Sequence, residues 1–185
     1  MFDHPDRGMP RAPGLIARFL ADDHERLDDL LQRALDDREV MDDEAYAAFR
    51  RGLLKHISME EKIVLPAAQR ANGGEPMPQA PQLRLDHGAL AALLVPPPSP
   101  SVVAAIRSIL EVHNRIEEGP DGVYEACERV LGGQATAVLE ALRAAPEVPV
   151  NPHSDTPLVR SATRRAVQRA GYRQEAEGLW DGLDG

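Results

Sequence analysis

One cysteine, Cys127, stands in 185 residues. That excludes an intrachain disulfide framework and any zinc site made of cysteines alone. Aromatic residues are also scarce at 4%, so aliphatic side chains must supply the core. No uninterrupted apolar run approaches the length of a membrane-spanning helix. The opening MFDHPDRGMPRAPG lacks the apolar stretch of a secretory signal, and the expected compartment is cytoplasmic. GxGxxG, GxxxxGK and GxSxG are all missing, which removes the usual phosphate-cradling and serine-hydrolase signatures. Positive charge is in deficit, with 21 Lys and Arg against 30 Asp and Glu, so neither nucleic acid nor an anionic membrane is an expected partner.

Period-two alternation is absent as well, and what remains is helical. Breakers at residues 10–14, 36–43, 72–81, 95–100 and 132–133 separate four amphipathic patterns. Residues 1–13 read as coil and 146–185 as a proline-containing linker with a C-terminal helical arm. Residues 14–145 read as an all-α, antiparallel up-down four-helix bundle, since the connections are short enough for sequential helices to be neighbours. Asp42 or Asp43 is placed to cap the second helix and Ser101 the fourth. In the arm, Thr156 precedes Pro157 at a helix start, and Val159, Ala162, Ala166 and Ala170 form a face that could dock, opposite a row of arginines. The composition around Trp180 suggests a fraying tail.

Each of the four apolar stripes is interrupted by a histidine: His24, His56, His87 and His113. One such histidine is ordinarily a hydrogen-bonded core residue, but the same interruption in four helices points to a common purpose. His56 and His113 also open the same pattern, His56-x3-Glu60-Glu61 and His113-x3-Glu117-Glu118. Residues four apart share a helix face, so each His-Glu pair can aim at one point. Buried carboxylates without cationic side chains need compensation, and a bound cation provides it. His24 and His56 each lie about 13 residues from the turn joining their helices, or about 20 Å along the axes, which puts them at one height. Four imidazoles and two carboxylates suit iron or manganese, although zinc also accepts these ligand types, and two shared glutamates can hold two ions about 3.5 to 4 Å apart.

The segments ADDHERLDDLL, KHISMEEKIVLP, LRLDHGALAALL and EVHNRIEEGPDGVYEAC resemble, in that order, the helices of the hemerythrin-like (HHE cation-binding) domain family. The resemblance spans roughly residues 14–145. It implies a four-helix bundle with two non-haem iron ions, ahead of manganese or zinc, joined by an oxo or hydroxo bridge. It also implies His24, His56, Glu60, His87, His113 and Glu117 as the metal ligands, with both glutamates able to bridge. One departure stands out: oxygen-carrying hemerythrins present two histidines four apart on the third helix, whereas Leu83 and Ala91 flank His87 at that spacing. The resemblance therefore implies a protein that binds or reacts with dioxygen, peroxide or nitric oxide, including oxidase or peroxide-decomposing chemistry, more than reversible oxygen carriage. An iron or redox sensor, or a metal-stabilised interaction module with a protein partner at the arm, is the alternative without turnover.

Neighbouring residues carry weaker signals. Glu61 and Glu118 follow the ligand glutamates and read as hydrogen-bond partners of the site, alternative ligands or solvated groups. Asp86 precedes His87 and reads equally as an imidazole-orienting carboxylate or a surface charge. Tyr124 lies seven residues beyond Glu117, where helix packing or hydrogen bonding to the site would account for it, and Cys127 reads as a small buried hydrophobe.

Overall fold

A computed structural model describes residues 14–35 and 40–180, so the coil at 1–13 and the tip of the first turn lie outside the described residues. The fold is all-α, and no strand occurs among the described residues. Helix α1 (Leu15–Ala34) returns as α2 (Asp43–Met59) through a turn closed by the Asp42 amide on the Ala34 carbonyl at 2.9 Å. Asp42 caps α2, its carboxylate accepting from the amides of Glu44 and Ala45. After Met59 the chain runs on through a π-helical turn at Glu60–Val64 into α3 (Leu65–Ala71). The helices α4 (Ala80–Leu93) and α5 (Pro100–Glu118) follow; Ser99, rather than Ser101, caps α5 by accepting from the Val102 amide at 3.2 Å, because Pro100 occupies the first helical position.

Helix α5 ends where Gly119-Pro120-Asp121-Gly122 interrupts the pattern, and α6 (Val123–Leu131) and α7 (Ala135–Arg143) continue. Gly122 is required there, since a Cβ atom would stand 2.4 Å from the Glu117 carbonyl oxygen. Residues 145–156 have no regular structure and lead to α8 (Pro157–Ala170), capped by Thr156, and α9 (Arg173–Gly178). Helix α1 packs on α2, α4 on α5, and α8 lies along α4.

The arm docks by a face that overlaps the expected one at Ala170 and, half-buried, at Val159 and Ala166, but is turned toward Thr163 and Val167. Thr163, Val167 and Ala170 are buried, whereas Ala162 is exposed, because residues spaced at 163, 167 and 170 form the stripe that meets α4. Trp180 does not fray: it is 7% exposed and joins Ala176, Leu179 and Val167 in one apolar cluster with Phe49, Leu93 and Ile106. Burial of a large ring outweighs the polar composition of its surroundings.

The core is in fact divided. One apolar cluster contains Leu27, Leu53, Leu90 and Ile109, the other Leu20, Met59, Leu83 and Val123. Along every one of these helices a histidine stands between the two clusters: His24 between Leu20 and Leu27, His56 between Leu53 and Met59, His87 between Leu83 and Leu90, and His113 between Ile109 and the partly buried Ile116. A buried polar layer thus separates two apolar halves, an arrangement that costs stability unless every polar atom in it is satisfied.

Candidate metal centre

That layer contains all six residues of the ligand pattern. His24, His56, Glu60, His87, His113 and Glu117 are each between 1% and 6% exposed. They form two groups of four, His24-His56-Glu60-Glu117 and Glu60-His87-His113-Glu117, and within each the ligand atoms lie within 4.8 Å of one another. The two glutamates belong to both groups and divide their oxygens between them. Glu60 turns Oε1 to His56 Nε2 (3.3 Å) and Oε2 to His87 Nε2 (3.0 Å). Glu117 turns Oε1 to His113 Nε2 (3.2 Å) and Oε2 to His24 Nε2 (3.5 Å).

Several of these atoms are buried without a hydrogen-bond partner: Glu60 Oε2, His87 Nε2 and Glu117 Oε1. Their separations from their neighbours are short, as in Glu60 Oε2 to His87 Nε2 at 3.0 Å, without the geometry of a hydrogen bond. Orphaned polar atoms of this kind are expensive in a packed interior. A cation among them would satisfy them together, and imidazole nitrogens with carboxylate oxygens are a competent donor set for a transition metal. The buried His/Glu groups can therefore hold metal.

Away from the candidate ligand atoms, every imidazole donates through Nδ1 to a carboxylate from another helix or turn. His56 meets Asp23 at 2.9 Å, His87 meets Glu61 at 2.8 Å, His113 meets Asp86 at 3.3 Å, and His24 meets Glu118. The pattern has an internal two-fold logic. An aspartate just before the histidine of α1 or α4 serves the histidine of the next long helix, and a glutamate just after Glu60 or Glu117 serves the other helix pair. Such carboxylates fix the tautomer that carries its proton on Nδ1 and leave Nε2 free to ligate.

Electrostatics agree with this pairing. Burial lowers the pKa of the His56 imidazole, but Glu60, Asp23 and Glu117 outweigh it and push it up to about 10. His113 is likewise pushed up to about 10, burial being overcome by Glu117 and Asp86. Burial raises the Glu60 carboxyl, but the adjoining imidazoles of His56 and His87 hold it well below the usual range. Without a metal ion, imidazolium-carboxylate pairing compensates the buried charges; a bound ion takes over that role.

Tyr124 enters the layer from α6, 2% exposed, just past the Gly-Pro break. Its hydroxyl lies against a Glu60 oxygen, 2.9 Å from Glu117 Oε2, 3.3 Å from His24 Nε2 and 3.5 Å from His56 Nε2. Burial and the two carboxylates raise the phenol well above its ordinary pKa, so in the metal-free molecule it is a hydrogen-bond donor. The hydroxyl has one proton for two carboxylates and donates to one at a time. Beside it, Val64, Leu65, Leu83 and Val123 wall a small apolar recess that abuts Glu60 and Glu117. Cys127 is fully buried, and burial together with the charges of Glu60 and Glu117 pushes its thiol up to about 12, so it is no thiolate nucleophile.

Asp23 and Tyr172 are site residues that the linear pattern does not single out. Asp23 precedes His24 as Asp86 precedes His87, so the repeated Asp-His pair was the available signal. Tyr172, between α8 and α9, lies close to Asp86, and burial together with that carboxylate raises its phenol. Nothing in the chain near Tyr172 announces that contact. No known protein family, curated protein or solved structure matches the chain.

Proposed function

We propose that the protein is a hemerythrin-like di-iron protein, with α1, α2, α4 and α5 as its antiparallel four-helix bundle, which binds or reacts with dioxygen, peroxide or nitric oxide. The observation that carries this reading is the sharing of Glu60 and Glu117 between two four-ligand groups, each carboxylate offering one oxygen to each half. A paired carboxylate-bridged site of that kind suits two ions rather than one. His24 and His56 would hold one iron, His87 and His113 the other, and the pair would supply redox change and open positions for a small oxidant.

The chain's own residues do the rest. Asp23, Glu61, Asp86 and Glu118 hold the imidazole planes so that each Nε2 faces inward without reorganisation. Apolar clusters above and below the layer exclude bulk water, and the recess walled by Val64, Leu65, Leu83 and Val123 is too tight to hold even a water-sized molecule as it stands. Tyr124 is the protein's proton donor nearest to both shared carboxylates. The test is metal content joined to optical response. Protein purified in air after growth in ample iron should contain about two irons per chain, absorb in the near ultraviolet, and change its spectrum with dioxygen or peroxide after reduction. Zinc alone, with no spectral response, would overturn the reading.

One contact favours a second reading, that of an iron or redox sensor. The Tyr172 hydroxyl of the docked arm lies close to Asp86, and Asp86 holds His113, so metal occupancy and arm docking share a link. Protection of the arm from proteolysis that disappears on metal removal, without peroxide turnover in the loaded protein, would favour the sensor.

A further inference from the structure

The two halves of the site are alike in their imidazoles and shared carboxylates but not in their oxygen donors. Tyr124 reaches the His24-His56 half through both of its Nε2 atoms, and its hydrogen bonds include neither His87 nor His113. Around its hydroxyl oxygen stand four ligand atoms: His24 Nε2 at 3.3 Å, His56 Nε2 at 3.5 Å, Glu117 Oε2 at 2.9 Å, and Glu60 Oε1 closer still. Those four atoms are themselves neighbours. His24 Nε2 and His56 Nε2 are 2.8 Å apart, His56 Nε2 and Glu60 Oε1 3.3 Å, and His24 Nε2 and Glu117 Oε2 3.5 Å.

Donor atoms that share one ion at bonds of about 2.1 Å, meeting at near right angles, stand about 3 Å from their neighbours. Toward His24 Nε2, His56 Nε2 and Glu117 Oε2 the hydroxyl oxygen is therefore spaced as a further donor on the same ion would be, while its closer contact with Glu60 Oε1 is that of a phenol still donating its proton to a carboxylate. A residue that only hydrogen-bonded one carboxylate from outside would not lie equally near both imidazole nitrogens. Position along the chain gives the same result: the break at Gly119–Gly122 ends α5 immediately after Glu118 and lets α6 re-enter the layer at Tyr124.

We infer that Tyr124 is a metal ligand, confined to the His24-His56 half, which makes the two metal positions chemically different. The inference rests on the di-iron reading above. Ligation exchanges the phenol proton for the ion: the O–H bond is lost, a bond from the phenol oxygen to the ion forms, the proton leaves to solvent, and no electron moves. A cation at that point reverses the preference for a neutral phenol that the carboxylates otherwise impose. The other half has no corresponding donor, since Tyr46 and Tyr172, the other tyrosines, belong to the apolar cluster around Phe49 and to the arm.

The full chain loaded with ferric iron distinguishes the possibilities. Tyrosine bound to ferric iron absorbs visible light and yields enhanced tyrosine ring vibrations in resonance Raman spectra excited within that band. Wild type, Tyr46→Phe and Tyr172→Phe should show the band and the vibrations, and Tyr124→Phe should lose both while retaining about two irons per chain. Phenylalanine keeps the ring that packs α6, and circular dichroism of each variant checks the fold. Two irons per chain without tyrosine vibrations in wild type, or vibrations that persist in Tyr124→Phe, would overturn the Tyr124 assignment and leave the di-iron reading standing. A wild-type chain that takes up no iron pair would overturn both.

Discussion

The His24-His56 half and the His87-His113 half of the candidate metal centre are built from the same words on different backbones. Each begins with Asp-His on one helix and ends with His-x3-Glu-Glu on the next. In the first half the second helix passes through the site, and a π-helical turn at Glu60–Val64 absorbs the change of phase. In the second half α5 stops, and the chain re-enters as α6. The supporting carboxylates differ too. In the first half Asp23 and Glu118 keep 17% and 37% of their side chains exposed; in the second Glu61 keeps 26%, whereas Asp86 is fully buried, held by Gln82 at 2.8 Å and close to Tyr172 of the arm. Similar sets of candidate ligands can thus be placed in unlike settings, one with both supporting carboxylates partly exposed and a phenol beside it, the other with one of its two carboxylates buried under a docked helix.

Removing what the halves share should have the largest effect. Glu60→Ala and Glu117→Ala each take a donor oxygen from both groups, so metal content should fall from about two ions per chain to none. Replacing a histidine, as in His56→Ala or His113→Ala, leaves four donors minus one on its own side and should also abolish the pair; two ions retained in both variants would contradict the ligand assignment. Next come the carboxylates behind the imidazoles. Asp86→Ala should weaken metal affinity by about 100-fold and Asp23→Ala by about 10-fold in a chelator competition, because water can replace only the partly exposed one. Equal losses would mean that burial does not distinguish the halves.

Smaller effects probe the scaffolds. Val167→Ala in the arm should cost about 2 kcal/mol, or about 4 to 8 °C in the melting temperature, through lost burial and a cavity against α4. The same substitution should speed metal loss from the His87-His113 half, read as a faster phase in chelator extraction, since loosening the arm frees Asp86. Helix caps come last. Asp42→Ala removes two hydrogen bonds from the start of α2 and should cost about 1 kcal/mol, while Ser99→Ala removes one from α5 and should cost about half as much in urea unfolding.

Much of this arrangement is legible along the chain because helix geometry is local. A histidine that interrupts a stripe at three- and four-residue steps must face the same way as the leucines around it, and His-x3-Glu must share a face. The single cysteine and the breakers are equally local. Asp86 could be suspected beside His87, but which of two histidines it serves could not: it turns to His113 on α5, leaving His87 to Glu61. Asp23 was hidden in an acidic run, and Tyr124 had an equally good packing explanation. Trp180, read as a fraying tail, is buried because α9 turns back onto the core, and Ser99 caps α5 because Pro100 begins it.

Periodicity and spacing alone specified the inward faces of α1, α2, α4 and α5, the six buried donor residues and the sense that a cation belongs among them, since those properties depend on contacts within one or two helical turns. Which oxygen of Glu60 and Glu117 turns to which half, which carboxylate holds which imidazole, the entry of Tyr124 and the approach of Tyr172 to Asp86 were set by the packing of distant segments. Those contacts join residues up to 100 positions apart, as between His24 and Tyr124, and no local rule of chain geometry reaches across such a distance.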